Sequence, residues 1–157
     1  MGRLFRWVIG LLVISSIAEL IAAYMVKQRT PSVGDPADDE IALVAIFEPL
    51  KFVSTAGAFR GGTALLWYGG GEIDLRGATL DPAGARLTVK VLTGGAQVIV
   101  PDDWQVDLQV VSILGGTGDA RSAKGRLADA PRLVIDGFAA MGGIGITSST
   151  TDLEIDA

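Results

Sequence analysis

The side chains that most often do chemistry are missing from this sequence, and the candidates that remain are carboxylates. There is no His and no Cys. Without imidazole the commonest general base and metal ligand are gone, together with every His-dependent triad. Without thiols there is no disulfide framework, thiolate nucleophile, iron–sulfur cluster or thiolate zinc site. The closely spaced carboxylates are Glu72 and Asp74 on one expected strand, Asp102 and Asp103 in an expected turn, and Asp107. Paired carboxylates can act as acid and base or hold Ca²⁺. Asp102 and Asp103, however, follow Pro101 in a loop, where such residues cap the backbone. Arg76 is expected to pair with a nearby carboxylate on the solvated face. The glycine pairs fit neither GxGxxG nor GxxxxGK[ST] ahead of a helix, so no phosphate loop is read. Ser148-Ser149-Thr150-Thr151 is a polar segment rather than a nucleophile motif. No catalytic, cofactor-binding or metal-binding residue is assigned, and no enzyme activity is expected.

The elements around these residues begin with an apolar run. Trp7 to Val26 is twenty residues interrupted by one charge, Glu19. At about 1.5 Å per residue it spans a hydrocarbon core of roughly 30 Å. Trp7 and Tyr24 stand near its ends, where amphipathic rings favour the interface. A membrane anchor over residues 1–26 follows, with the lipid bilayer as its partner through residues 7–26. Ser16-Ile17-Ala18 resembles a cleavage site, but the apolar run continues past it, unlike the shorter core of a signal peptide. An absent Cys rules out lipidation as a lipoprotein. Glu19 is read either as a contact to a partner helix or as a charge close enough to the Tyr24 end to snorkel. Arg3 and Arg6 on one flank balance Lys27 and Arg29 on the other, so charge does not orient the helix.

Residues 27–40 read as a polar linker, with Pro31, Gly34 and Pro36 blocking regular structure. From Ile41 onward the pattern is short apolar runs among glycines; 18 of the 21 glycines lie between Gly57 and Gly145. Leu87-Thr88-Val89-Lys90-Val91 and Val106-Asp107-Leu108-Gln109-Val110 alternate with a period of two, the mark of strands with one buried face. The pairs Gly70-Gly71, Gly94-Gly95, Gly115-Gly116 and Gly142-Gly143 recur every 21 to 27 residues, each between apolar runs. In the first run Glu48-Pro49 stands in their place. The expected fold class is all-β: a short single-stranded β-solenoid or β-helix-like roll of about five Gly-Gly-cornered rungs over residues 41–147, after one transmembrane α-helix. A β-sandwich of hairpins is the alternative. Residues 148–157 form a polar acidic tail.

Three stretches carry a family resemblance. They are Phe59-Arg60-Gly61-Gly62; Tyr68-Gly69-Gly70-Gly71-Glu72-Ile73-Asp74-Leu75-Arg76-Gly77-Ala78; and Gly94-Gly95-Ala96-Gln97-Val98-Ile99-Val100-Pro101 with Trp104 and Val106. Together with Gly142-Gly143-Ile144-Gly145-Ile146 they resemble the C-terminal domain of LiaF-type proteins of the cell-wall-active antibiotic response. The similarity runs from about Ile41 to Thr147. It implies a bactofilin-like, toastrack-type β domain tethered to the cell membrane on its cytoplasmic side. It also implies a role in envelope-stress signalling through a protein partner, often a sensor kinase, and no catalytic residues. The chain departs from that family in having one apolar segment rather than several. Self-association of the β domain as a scaffold is the alternative role. A net charge of −5 with no cluster of cations excludes a nucleic-acid partner.

Overall fold

The computed structural model describes residues 2–29, 34–121 and 130–148. The chain forms two compact units, Met1–Pro31 and Ser32–Ala157.

The first unit is one helix, α1 (Gly2–Arg29). Its apolar side chains lie exposed on every side, among them Leu4, Trp7, Leu11, Ile14, Ile17 and Tyr24. A helix apolar around its circumference has no solvent face of its own. Ser16 is satisfied internally, its hydroxyl donating to the Leu12 carbonyl at 2.9 Å. The stretch Leu4–Arg29 is long and apolar enough to cross a membrane. The helix thus extends beyond both ends of the apolar run.

The second unit is parallel β-sheet. Its strands are β1 (Glu40–Ile46), β2 (Leu50–Val53), β3 (Gly61–Trp67), β4 (Gly69–Asp74), β5 (Ala85–Ile99), β6 (Gln105–Asp119) and β7 (Arg132–Thr147). The first half of β5 pairs with β3 and the second half with β4, while β1 extends β3 and β2 extends β4. On its other side β5 pairs with β7 along its length, and β7 with β6. Every one of these pairings is parallel, which sets the hairpin sandwich aside. The sheet is nearly closed, like a barrel, over one apolar core that includes Leu43, Phe59, Leu66, Ile73, Leu87, Val98, Ile135 and Ile146.

One register runs through all the neighbours. Ile41 lies beside Gly62, Gly62 beside Leu87, Leu87 beside Ile135 and Ile135 beside Leu108. Past the midpoint, Phe52, Ile73, Val98 and Ile146 line up in the same way. Between these halves the inward parity changes: β5 buries Leu87, Val89 and Val91, then Ala96 and Val98. A regular pleat would turn the later pair outward. The reversal falls at an aligned column, Gly94 beside Gly142 and Gly142 beside Gly115, with φ of 124°, 131° and 151°. A β-carbon on Gly94 would sit 1.9 Å from the Gly69 carbonyl oxygen, and one on Gly142 would sit 1.6 Å from that of Gly94. Both backbone angle and space therefore require glycine.

Three features differ from the sequence reading. The glycines aligned with Gly94 and Gly95 are Gly69 and Gly70, one residue earlier than the pair Gly70-Gly71. The repeats do not stack in chain order, because β7 lies between β5 and β6. β7 has the more complete apolar set, with Leu133, Ile135, Ala139, Ile144 and Ile146 all buried, and so takes the inner place. Finally, residues 34–39, read as part of the linker, hydrogen-bond to the connection between β2 and β3. Thr55 N–H donates to the Pro36 carbonyl (2.6 Å), and Arg60 N–H to that of Asp39 (2.7 Å).

Substituting Ala for Gly94 or Gly142 should therefore abolish cooperative folding of the β unit. Gly145→Ala meets nothing within 4 Å, at an ordinary φ, and should be neutral or stabilise by about 0.5–1 kcal/mol. Thermal unfolding followed by circular dichroism distinguishes the two classes.

Candidate functional site

Of the carboxylates singled out by the sequence, Glu72, Asp74 and Asp107 have partners and Asp102 and Asp103 lie exposed. Glu72 lies 3.7 Å from the Lys51 ammonium. Asp107 accepts from the Gln109 amide at 2.8 Å. Asp102 and Asp103 are exposed in a turn closed by Trp104 N–H donating to the Pro101 carbonyl (3.3 Å). Among the described residues no three carboxylates gather as a metal would require.

Asp74 belongs to a motif that occurs twice. Arg76 reaches back to it with Nε (3.0 Å) and Nη2 (2.7 Å), and Arg76 N–H donates to the same carboxylate at 3.0 Å. Asp119 and Arg121 repeat the arrangement at the end of β6, with Nε at 2.9 Å, Nη2 at 2.8 Å and the backbone N–H at 3.0 Å. Arg121 goes further, because its side chain is fully buried. Its Nη1 donates to the Trp104 carbonyl (3.0 Å) and more weakly to that of Pro101 (3.4 Å). It clips the β5–β6 turn to the end of β6. In the sequence Arg121 stands with Lys124, Arg126 and Arg132 as the densest basic group. Burial removes Arg121 from any basic surface; Lys124 and Arg126 lie outside the described residues, and Arg132 is exposed.

Asp136 on β7 is the third engaged carboxylate. It accepts from the Thr88 hydroxyl at 2.6 Å and pairs with Arg86, both on β5. These bonds hold its carboxyl below the usual range, the Thr88 hydroxyl contributing most and Arg86 next. The Arg76 guanidinium does the same for Asp74.

Part of what the fold leaves accessible is apolar. Val106, Leu108 and Val110 of β6 pack towards the core, so Val111 and Ile113 point outward. They are 65% and 69% exposed, as are Leu114 at 65% and Met141 at 50%. The register sets Val111 beside Phe138 and Leu114 beside Met141. It continues through Leu92 to Trp67, since Val91 lies beside Leu66. At the far side Trp67 stacks on Tyr68 (ring centroids 6.3 Å) and Tyr68 on Phe47 (5.0 Å, rings 7° apart). Phe47 and Tyr68 have φ of 59° and 57°, a left-handed backbone that bulky residues rarely adopt. That conformation costs about 1–3 kcal/mol each, partly offset by stacking of about 0.5–1.5 kcal/mol. The rings and the β6–β7 side chains lie on the outward side of the sheet, with the exposed Lys90 beside Phe138 among them. Exposed apolar side chains grouped in this way mark contact surfaces.

Sequence reasoning did not find this face. Trp67, Phe138 and Ile113 are far apart in the chain, and only the cross-strand register joins them. An open depression of about 530 Å³ on the second half of the sheet is floored by Gly70, Gly95 and Gly145, with Gln97 and Thr147 as its polar side chains. It offers no ionisable group. Comparison with family models, curated proteins and solved structures returns no match.

Two measurements check the polar clips. Asp74 and Asp136 are depressed in the folded state, so the stability they contribute is complete above about pH 3.9, the unfolded value. It is lost as pH falls below that value through the folded one. Acid unfolding should therefore steepen below about pH 4, and Asp136→Asn should flatten the curve there. Arg121→Met removes the ion pair with Asp119 and the buried bonds to the Trp104 and Pro101 carbonyls and should cost about 3 kcal/mol in denaturant unfolding, whereas Arg132→Met should stay within about 0.5 kcal/mol.

Proposed function

We propose that this chain is a non-catalytic, single-pass membrane protein whose β unit binds another protein, as an accessory of the bacterial envelope-stress response. Support for the anchor is α1, which is apolar on all sides and long enough to cross a bilayer. The observation that carries the interaction reading is the outer apolar face through Trp67, Phe138, Met141, Val111 and Ile113. Such a surface is costly to expose to water and needs a partner to cover it.

The finer fold reading belongs to the same proposal. Five repeats in one register, with glycines aligned where the inward parity reverses, suit a short solenoid-like roll of rungs. That is the architecture implied by the resemblance to LiaF-type C-terminal domains, and with it come a cytoplasmic β unit and a signalling partner in the membrane. The scaffold reading is kept because, among the described residues, β6 ends the sheet with no strand on its outer side, developed below.

A chain without native Cys allows single-Cys probes. Thr117→Cys should react with a membrane-impermeant maleimide only after spheroplasts are permeabilised; labelling of intact spheroplasts would put the β unit outside. A photo-crosslinking residue at Phe138 should form an adduct with one membrane protein in living cells. Met141→Asp should remove that adduct at unchanged thermal stability. Adducts with lipid alone would refute the protein-partner reading.

A further inference from the structure

The two ends of the sheet are built differently. At the β1/β2 end residues 34–39 cross the margin of the core. Gly34 lies so close that a β-carbon on it would sit 3.1 Å from Leu43 and 3.5 Å from Phe52. Ala58 N–H donates to the Asp39 carboxylate at 3.0 Å, fixing this segment in place. The edge itself is broken between β1 and β2 by Pro49 and carries Lys51, both recognised guards against strand addition.

The β6 end has none of these guards. β6 is 15 residues of continuous strand. Among the described residues it has β7 on one side and no strand on the other. It contains no Pro, Lys or Arg, and no charge between Asp107 and Asp119. Val111, Ile113 and Leu114 are the most exposed large apolar side chains among the described residues of the β unit. Long, flat, apolar edges of this kind accept another strand.

We propose that the β6 edge pairs with the β6 edge of a second copy of this chain, making a two-fold, closed dimer. This deepens the scaffold reading above and rests on it. The asymmetry of the ends selects the arrangement. Head-to-tail addition would need the β1/β2 edge, which is interrupted by Pro49 and carries Lys51. A like-to-like contact uses β6 twice and leaves no free end, so it closes instead of growing into a filament. Fifteen residues extend about 50 Å, and a strip about 10 Å wide buries roughly 500 Å² per partner, below the usual 800 Å² or so of stable complexes. The contact is therefore weak in free solution. Two copies anchored by α1 in one membrane meet at a far higher effective concentration, and the dimer forms there. Pairing also merges the two outer apolar faces across the new strand pair.

The test uses the full chain in detergent and in nanodiscs. Single cysteines at Gln109, Val111 and Ile113, treated with a short bis-maleimide, should give a covalent dimer and nothing larger. A cysteine at Lys51 should give none. Val111→Lys combined with Ile113→Lys should return the chain to a monomer by sedimentation, with thermal unfolding unchanged. A ladder of larger species from a chain with cysteines at both Val111 and Lys51 would overturn the closed dimer in favour of head-to-tail growth. A monomer whose Val111 cysteine resists labelling would overturn it in favour of residues 122–129 of the same chain as the occupant. A dimer lost in Glu19→Leu but kept in the double-Lys variant would overturn it in favour of pairing through α1. Adducts at Phe138 are read in the same chains: their absence beside an intact dimer fails the partner reading alone, and a lost dimer beside intact adducts fails only this one.

Discussion

Parallel strands in one register bring each backbone close against the next, and where the inward parity of this sheet reverses no room remains for a β-carbon. Gly115, Gly142 and Gly94 line up there, each with its missing side chain pointed at a neighbouring carbonyl. The rest of the β unit depends on that column. The reversal keeps Leu87, Val89 and Val91 on the same side as Ala96 and Val98, so both halves of β5 and of β7 contribute to a single core. Glycine there lowers stability through its entropy, but any other residue would break the register of several strands together. The first two repeats meet the same backbone demand with Phe47 and Tyr68, bulky residues in a left-handed conformation whose rings stack across the strands.

A stacked sheet has two ends, and polar residues handle them unequally. Asp74–Arg76 and Asp119–Arg121 are the same clip, used once near the middle of the stack and once at its end. The second copy is buried and also ties down the β5–β6 turn, so the edge strand is anchored at its C-terminal end by hydrogen bonds rather than by packing. Along the rest of β6 the inward positions become poorer in apolar groups. Ser112 occupies the place held by Ala139 and Val91 in its neighbours, and its hydroxyl is buried without a partner among the described residues. A strand of that composition makes a worse interior than β7 does. This is why β7 inserts between β5 and β6 although it comes last in the chain.

Much of this was legible in the sequence, and the physical reason is local. Alternation at Leu87–Val91 and Val106–Val110 depends on one strand and its solvent, as does the spacing of the glycine pairs. Strand order is a contest between repeats. It would have been readable only by ranking them for inward polarity, where Ser112, Thr117 and Asp119 mark β6 as terminal. The glycine pair in the second repeat was displaced by one because Gly69, Gly70 and Gly71 form a run, and only pairing to Gly94 fixes which two are equivalent. The role of Arg121 was not legible because its recurrence as Asp-x-Arg, the same as in Asp74-Leu75-Arg76, lies 45 residues away in the chain. The outer apolar face was invisible for a related reason: outward positions of separate strands carry no shared periodicity along the chain.

The engaged carboxylates of this molecule hold its fold together. The ion pairs that look like chemistry hold turns and neighbouring strands, and the pKa depressions of Asp74 and Asp136 are those of carboxylates serving stability. What the fold does not consume is one apolar outer face and one unguarded edge, and these are continuous with each other at Val111, Ile113 and Leu114. The face could have been made polar at no cost to the core, since outward positions on β5 accommodate Arg86, Thr88 and Lys90. Apolar residues stand instead at the equivalent places on β6 and β7, where their exposure to water costs free energy that their contacts among the described residues do not recover.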